Sequence, residues 1–210
     1  MIHKHILIVL FTFLSTAIAI GQEELSEEER TTFKEKVRES AQNTTTIVSD
    51  FKQTKHVSVL DNDIVSKGKL KFKDPNKVKW SYTEPFDNTA IFKNNALYVI
   101  EEGKTNTIDL GANKIFKSLN SLIVQSIKGD MFDESQFDIT YFKTSNGYLV
   151  RFAPIERRLR RYIATFELQF TKADATVVSV RLIEPNSDFT HIEFVDRKRN
   201  VAVGDSEFKH

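Results

Sequence analysis

The run Lys69-Leu70-Lys71-Phe72-Lys73-Asp74-Pro75-Asn76-Lys77-Val78-Lys79-Trp80-Ser81-Tyr82-Thr83 decides the fold. Leu70 and Phe72, then Val78, Trp80 and Tyr82, occupy alternate positions, and lysines, Ser81 and Thr83 take those between. A period of two marks strands with one apolar and one wet face. Asp74-Pro75-Asn76 is a turn signal, so the two runs read as an antiparallel pair. Outward from this pair the same period recurs. Phe51, Val57 and Val59 share parity upstream, and short strands are expected at Ala96–Ile100 and Asn106–Leu110. Downstream, strands are expected at Phe137–Phe142 and, after the Asn146-Gly147 hairpin turn, through Tyr148, Val150 and Phe152. A long strand is expected to hold Tyr162, Ala164, Phe166, Leu168 and Phe170 on one side, followed by strands through Val178–Leu182 and Ile192–Phe194. Turn signals at this spacing belong to a sandwich or barrel.

Two segments break the period. Glu23–Asn43 predicts a helix, with Ser26 as N-cap, Glu29 closing a capping box, and Phe33, Val37 and Ala41 on one face. Ile115, Phe116, Leu119, Leu122, Ile123 and Ile127 recur at i, i+3, i+4 and i+7, which predicts an amphipathic helix inside the meander. A short helical piece at Met131–Glu134 is expected after it.

The N-terminus has the layout of a secretory signal peptide. A basic start at His3-Lys4-His5 precedes an apolar run from Ile6 to Ile20, with the A-x-A pattern Ala17-Ile18-Ala19 at its end. A spanning helix needs roughly 20 apolar residues, more than this run supplies. Residues 1–21 are therefore expected to be removed, leaving 22–210 as a single exported domain in the periplasm. The absence of cysteine rules out a disulfide framework and rules out lipidation of this chain itself. Without Lys4 the charges balance at 29 basic and 29 acidic residues, so no basic field recommends nucleic acid as a partner.

Catalytic signatures are missing. His56, His191 and His210 have no second histidine at ligand spacing, so no metal site is expected. No G-x-S-x-G occurs, and no glycine-rich run cradles a phosphate. The expectation is a protein without catalysis and without a cofactor. A one-sided apolar sheet must bury that side under a second layer. On periodicity alone a solid core is the simpler outcome, and a cavity under helices is the alternative. Arg157, Arg158, Arg160 and Arg161 flank Leu159. Such a run reads as a solvated connection, or as a docking point for an acidic partner or anionic headgroups.

Phe51-x-Gln53, Ser66-x-Gly68-x-Leu70-x-Phe72, Pro75-Asn76-x-Val78-x-Trp80, Pro85 and Asp188-x-Thr190-x-Ile192-x-Phe194 follow one another in an order that resembles the LolA family of outer-membrane lipoprotein carriers. The resemblance implies a mostly β (α+β) fold: an incomplete antiparallel β-barrel of about ten to eleven strands covered by a helical lid. It implies a monomeric carrier that takes the acyl chains of lipoproteins from an inner-membrane ABC transporter complex to an outer-membrane acceptor. Phe51, Leu70, Phe72, Val78, Trp80, Tyr82 and Leu97 would then contact cargo from the barrel wall, and Ile115, Phe116, Leu119, Leu122 and Ile123 from the lid. The family pattern has an arginine before the Pro-Asn step where this chain has Asp74, so its lid latch does not carry over. A glycolipid or other lipid-linked cargo, and a lipid-sensing envelope module of the same fold, are the alternative readings.

Overall fold

The computed structural model describes residues 22–109 and 131–210. The expected signal peptide and the expected lid helix, with Ile115, Phe116, Leu119, Leu122 and Ile123, lie outside the described residues. Twelve strands form one antiparallel sheet: β1 (Glu23–Glu24), β2 (Thr46–His56), β3 (Ile64–Lys73), β4 (Lys77–Glu84), β5 (Asn88–Lys93), β6 (Ala96–Glu101), β7 (Lys104–Asp109), β8 (Phe137–Thr144), β9 (Gly147–Pro154), β10 (Thr165–Thr171), β11 (Val177–Ile183) and β12 (Phe189–Arg199). Their spatial order is β1-β8-β9-β10-β11-β12-β2-β3-β4-β5-β6-β7, with β1 and β7 at its ends, so the barrel is incomplete as expected.

The sheet is two meanders joined at one seam. β2–β7 and β8–β12 each pair in chain order, and β12 returns to pair with β2. The seam joins the two longest strands, 11 residues each. Phe194 stands opposite Phe51, and Ile192 opposite Gln53.

Among the described residues there is one α-helix, α1 (Glu27–Gln42). Its start is the predicted capping box. Ser26 Oγ accepts from the Glu29 amide at 3.4 Å, and the Glu29 carboxylate accepts from the Ser26 amide at 2.9 Å. Lys143, 2.5 Å away, and the Ser26 bonds hold the Glu29 carboxyl down at about 2. α1 lies on the inner face of β8–β10. Phe33 fits among Tyr141, Tyr148 and Phe170, with ring centroids at 6.3, 4.6 and 5.1 Å. The side chains beneath α1 form one buried cluster. Asn200 fixes the other end of α1, its amide group bonding both the Asn43 carbonyl and the Thr45 amide.

The described residues form twelve strands, in keeping with the expected incomplete barrel of about ten to eleven. Several sequence expectations change. β5 shows no alternation because both of its faces are covered: Phe92 points inward, while Ile91 is fully buried on the outer face. Glu23–Glu24, expected to be helical, form a short strand against β8. Met131–Glu134 is not helical, and Met131 is a buried anchor of the core beneath α1. The long strand starts late: Leu159–Arg161 form a 3-10 turn, Tyr162 is exposed, and pairing begins at Thr165.

The outer face of β3–β5 is also less wet than its lysines suggest. The chain after β12 crosses it, burying Val203 and Phe208 against Ile91. Lysines of β3 and β4 hold this strap. Lys71 pairs with Glu207 at 2.7 Å, and Lys73 and Lys77 meet Asp205 at 2.9 and 2.8 Å. The two lysines keep the Asp205 carboxyl at about 2, against its ordinary 3.8. A carboxyl depressed on folding stabilises fully above its unfolded pKa and loses that contribution as pH falls through the folded one. Asp205→Asn is therefore expected to lower the unfolding midpoint at pH 7. The deficit relative to wild type should shrink as pH falls below 3.8 and disappear towards 2. Thermal scans of both proteins check this, and a deficit that does not change with pH would rule the strap's ion pairs out as its cause.

Candidate functional site: an apolar cavity between sheet and helix

α1 covers only part of the inner face. Beside it the described residues enclose a cavity of about 330 Å³, within the size range of small-molecule and lipid sites. β3, β4 and β6 contribute Leu70, Trp80 and Leu97. β11 and β12 contribute Val180, Leu182, Ile192 and Phe194. Val37, Ser40 and Ala41 of α1 form the opposite wall. The alternation of two places these side chains together. Each strand sends every second residue inward, and register aligns Val180 with Ile192 and Leu70 with Trp80.

Of the wall residues expected from sequence, Leu70, Trp80 and Leu97 line the cavity. Phe51, Phe72 and Val78 lie on the same face but are packed behind it in one buried cluster with Leu70 and Trp80. Phe51 sits edge-on to Trp80 and Tyr82, with ring centroids at 5.0 and 5.1 Å. Tyr82 is half-buried and donates to Gln53 Oε1 at 3.0 Å, and burial raises its phenol pKa. Gly68 makes room for this arrangement. A Cβ there would lie 2.1 Å from the Ser81 carbonyl oxygen and 2.7 Å from the Phe51 ring. The Arg157, Arg158, Arg160 and Arg161 side chains are all exposed around buried Leu159, and Arg160 donates to the Ile155 carbonyl at 2.7 Å.

Sequence reasoning missed the polar corner of the cavity. Between Val195 and Lys198 the register of β12 against β2 slips by one residue, and Asp196 takes φ 50°. A bulge reverses the alternation beyond it. Arg197 and Arg199 therefore reach the cavity wall, where unbroken alternation would have sent Asp196 and Lys198. Arg199 pairs with Asp174 at 2.8 Å and donates to Ser40 Oγ at 2.9 Å. Arg197 donates to the Val177 carbonyl and, at 2.6 Å, to Thr176 Oγ1. Burial lowers the pKa of the Arg197 guanidinium, with Asp174 opposing that shift and Arg199 adding to it. The landmark Asp188 is structural. Its carboxylate accepts from the Ser58 amide at 2.7 Å and starts the strand that carries Thr190, Ile192 and Phe194 to the cavity.

Gly68→Ala forces Phe51 or the β4 backbone to shift, and overpacking of this kind costs about 1–3 kcal/mol. Urea unfolding should show that loss, together with altered fluorescence from Trp80, which Phe51 touches. An unchanged midpoint would mean that the cluster behind the cavity is loosely packed.

The comparisons with known proteins follow this geometry. The sequence profile of the family described as "Outer membrane lipoprotein carrier protein LolA" matches residues 42–210. No curated protein matches the chain significantly in sequence. Among solved structures, a DUF1329 family protein from Desulfovibrio piger is similar at 11% identity and TM-score 0.53, over 86% of this chain and 97% of that one. An uncharacterized conserved protein from Thermus thermophilus is similar at 9% identity and TM-score 0.53, over 86% and 93%. The Pseudomonas aeruginosa MucA/MucB complex contains a chain similar at 9% identity and TM-score 0.50, over 86% and 60%. At such identities these structures speak for the fold alone. The profile runs from the end of α1 through every strand that builds the cavity, and on that basis the chain belongs to the LolA family.

Proposed function

We propose that this protein is a periplasmic carrier. It holds the acyl chains of lipoproteins in the cavity beside α1 and ferries them from an inner-membrane ABC transporter complex to an outer-membrane acceptor. It works as a monomer, without catalysis and without a cofactor. The observation that carries the reading is the apolar cavity itself, on the inner face of a LolA-family sheet. Each methylene moved there from water contributes about 0.8 kcal/mol, so a modest length of chain suffices for firm binding. The leader-like N-terminus, the lack of cysteine and the family's printed description support the compartment and the cargo. Among the described residues, no helix is long and apolar enough to cross a membrane.

A non-catalytic role is supported by what lines the cavity. Its hydroxyls come from Ser40, Thr44, Ser49, Thr176 and Thr190, and the carboxylate that meets one of them, Asp174 against Thr176 Oγ1 at 2.6 Å, is itself paired with Arg199 at 2.8 Å, which leaves it a poor base. Ser49 Oγ is occupied with the Asp50 and Val195 carbonyls, and Thr44 Oγ1 with the Ser40 carbonyl. In this reading the exposed arginines at 157, 158, 160 and 161 meet an acidic partner surface.

Purification from the native envelope, followed by mass spectrometry of the bound material, tests the reading. Acylated lipoprotein peptides are expected. Val180→Trp, which fills the cavity from β11, should reduce their recovery severalfold while the β-sheet circular dichroism spectrum stays unchanged. A bound glycolipid without lipoprotein would move the cargo to that class. An empty protein with no affinity for an apolar dye would refute the carrier role.

A further inference from the structure

The bulge in β12 brings two guanidiniums to an otherwise apolar wall, and their charges are not matched alike. Arg199 has a carboxylate partner: Asp174 at 2.8 Å. Asp174 is already engaged elsewhere, accepting from Thr171 Oγ1 at 2.5 Å and Thr176 Oγ1 at 2.6 Å. Arg197 bonds only neutral acceptors among the described residues, the Val177 carbonyl and Thr176 Oγ1. The corner thus holds two cations against one anion, and no carboxylate is among the described residues that line the cavity. A partly buried guanidinium without a counter-charge is costly, because the protein around it replaces water poorly. The same position is suited to a ligand anion. Guanidinium forks bind carboxylate and phosphate oxygens, and charge-assisted bonds of this kind are the strong ones. The chain also accepts a non-glycine residue at φ 50° to aim these side chains inward, and such bulges recur beside functional sites.

We propose that the cavity accepts, besides an acylated protein, a single lipid whose acyl chain ends in an anion, carboxylate or phosphate, with Arg197 seating that anion. The chain runs along Val180, Leu182 and Ile192, and the headgroup meets Arg197 at the corner beside Thr176 and Ser40. This rests on the cavity holding acyl chains and adds a ligand class to that reading. The pull on the anion is electrostatic and weakens with salt to the extent that water reaches the corner.

Displacement of a neutral apolar dye from the mature protein at pH 7.5 tests the proposal with two matched pairs. Oleate against oleyl alcohol probes the carboxylate, and oleoyl lysophosphatidic acid against monoolein probes the phosphate. In at least one pair the anion should bind about tenfold or more tightly than its neutral partner, the size expected of a charge-assisted hydrogen bond. A preference in one pair only identifies which anion the site takes. Arg197→Gln, which keeps a hydrogen-bond donor and removes the charge, should erase the difference between anion and neutral partner within each pair. Arg197→Lys should restore part of it. Equal affinities within both pairs would overturn the anion site and leave the carrier reading standing. Failure of all four compounds to displace the dye would overturn both. A folded Arg197→Gln protein that keeps the preference would exclude Arg197 as the seat. If that variant does not fold, the wild-type pairs and the lysine variant decide.

Discussion

The pairing of β12 with β2 is the interaction on which the rest depends. Two meanders, each closed by local hairpins, become one sheet only through this seam, which joins residues about 140 positions apart in the chain. Local hairpins form with little loss of loop entropy, whereas such a distant pair must be held by its side chains. Phe194 against Phe51 and Ile192 beside them supply that hold, and both β12 residues line the cavity. Asn200, at the end of the same strand, ties down the end of α1. One strand thus completes the sheet, places the helix and furnishes the cavity wall.

The cavity follows from how unevenly the inner face is covered. α1 has a narrow apolar stripe, and Phe33 and Val37 use it on β8–β10, where Met131 completes the core. The stripe is too short to reach β3 and β4. Their large side chains pack on one another behind the cavity, and Phe51 gains its place because Gly68 offers no Cβ. On the other face the strap after β12 buries Ile91 and engages lysines, so the wall is supported from outside. A wall braced in this way can border a void without collapsing into it, because close-packed layers transmit strain and do not flow.

The period-two runs showed the sheet, its one-sided character and most of its strands, and Ser26 with Glu29 fixed the start of α1. Leu70, Trp80 and Leu97 were named as wall residues through the resemblance to the LolA family, and they line the cavity. What stayed hidden was everything set by tertiary covering. β5 has no alternation, because the strap hides Ile91 while Phe92 faces the cavity. Phe51, Phe72 and Val78 share the cavity's face yet sit behind it, and parity does not distinguish a lining residue from a backing one. Arg197 and Arg199 were invisible because the bulge at Asp196 changes parity, and no glycine marks it. Unbroken alternation places Arg197 and Arg199 on the wet side, where a basic pair attracts no notice.

The chain contains a single tryptophan, and Trp80 lines the cavity. It therefore reports directly on whether an acyl chain enters. Fluorescence titration with fatty acids brominated at successive chain positions measures this. The account predicts saturable quenching of Trp80, strongest for one stretch of the chain and lost when an unlabelled fatty acid competes. Saturable binding of the brominated chain with no quenching of Trp80 would place the ligand elsewhere on the protein and contradict the central claim.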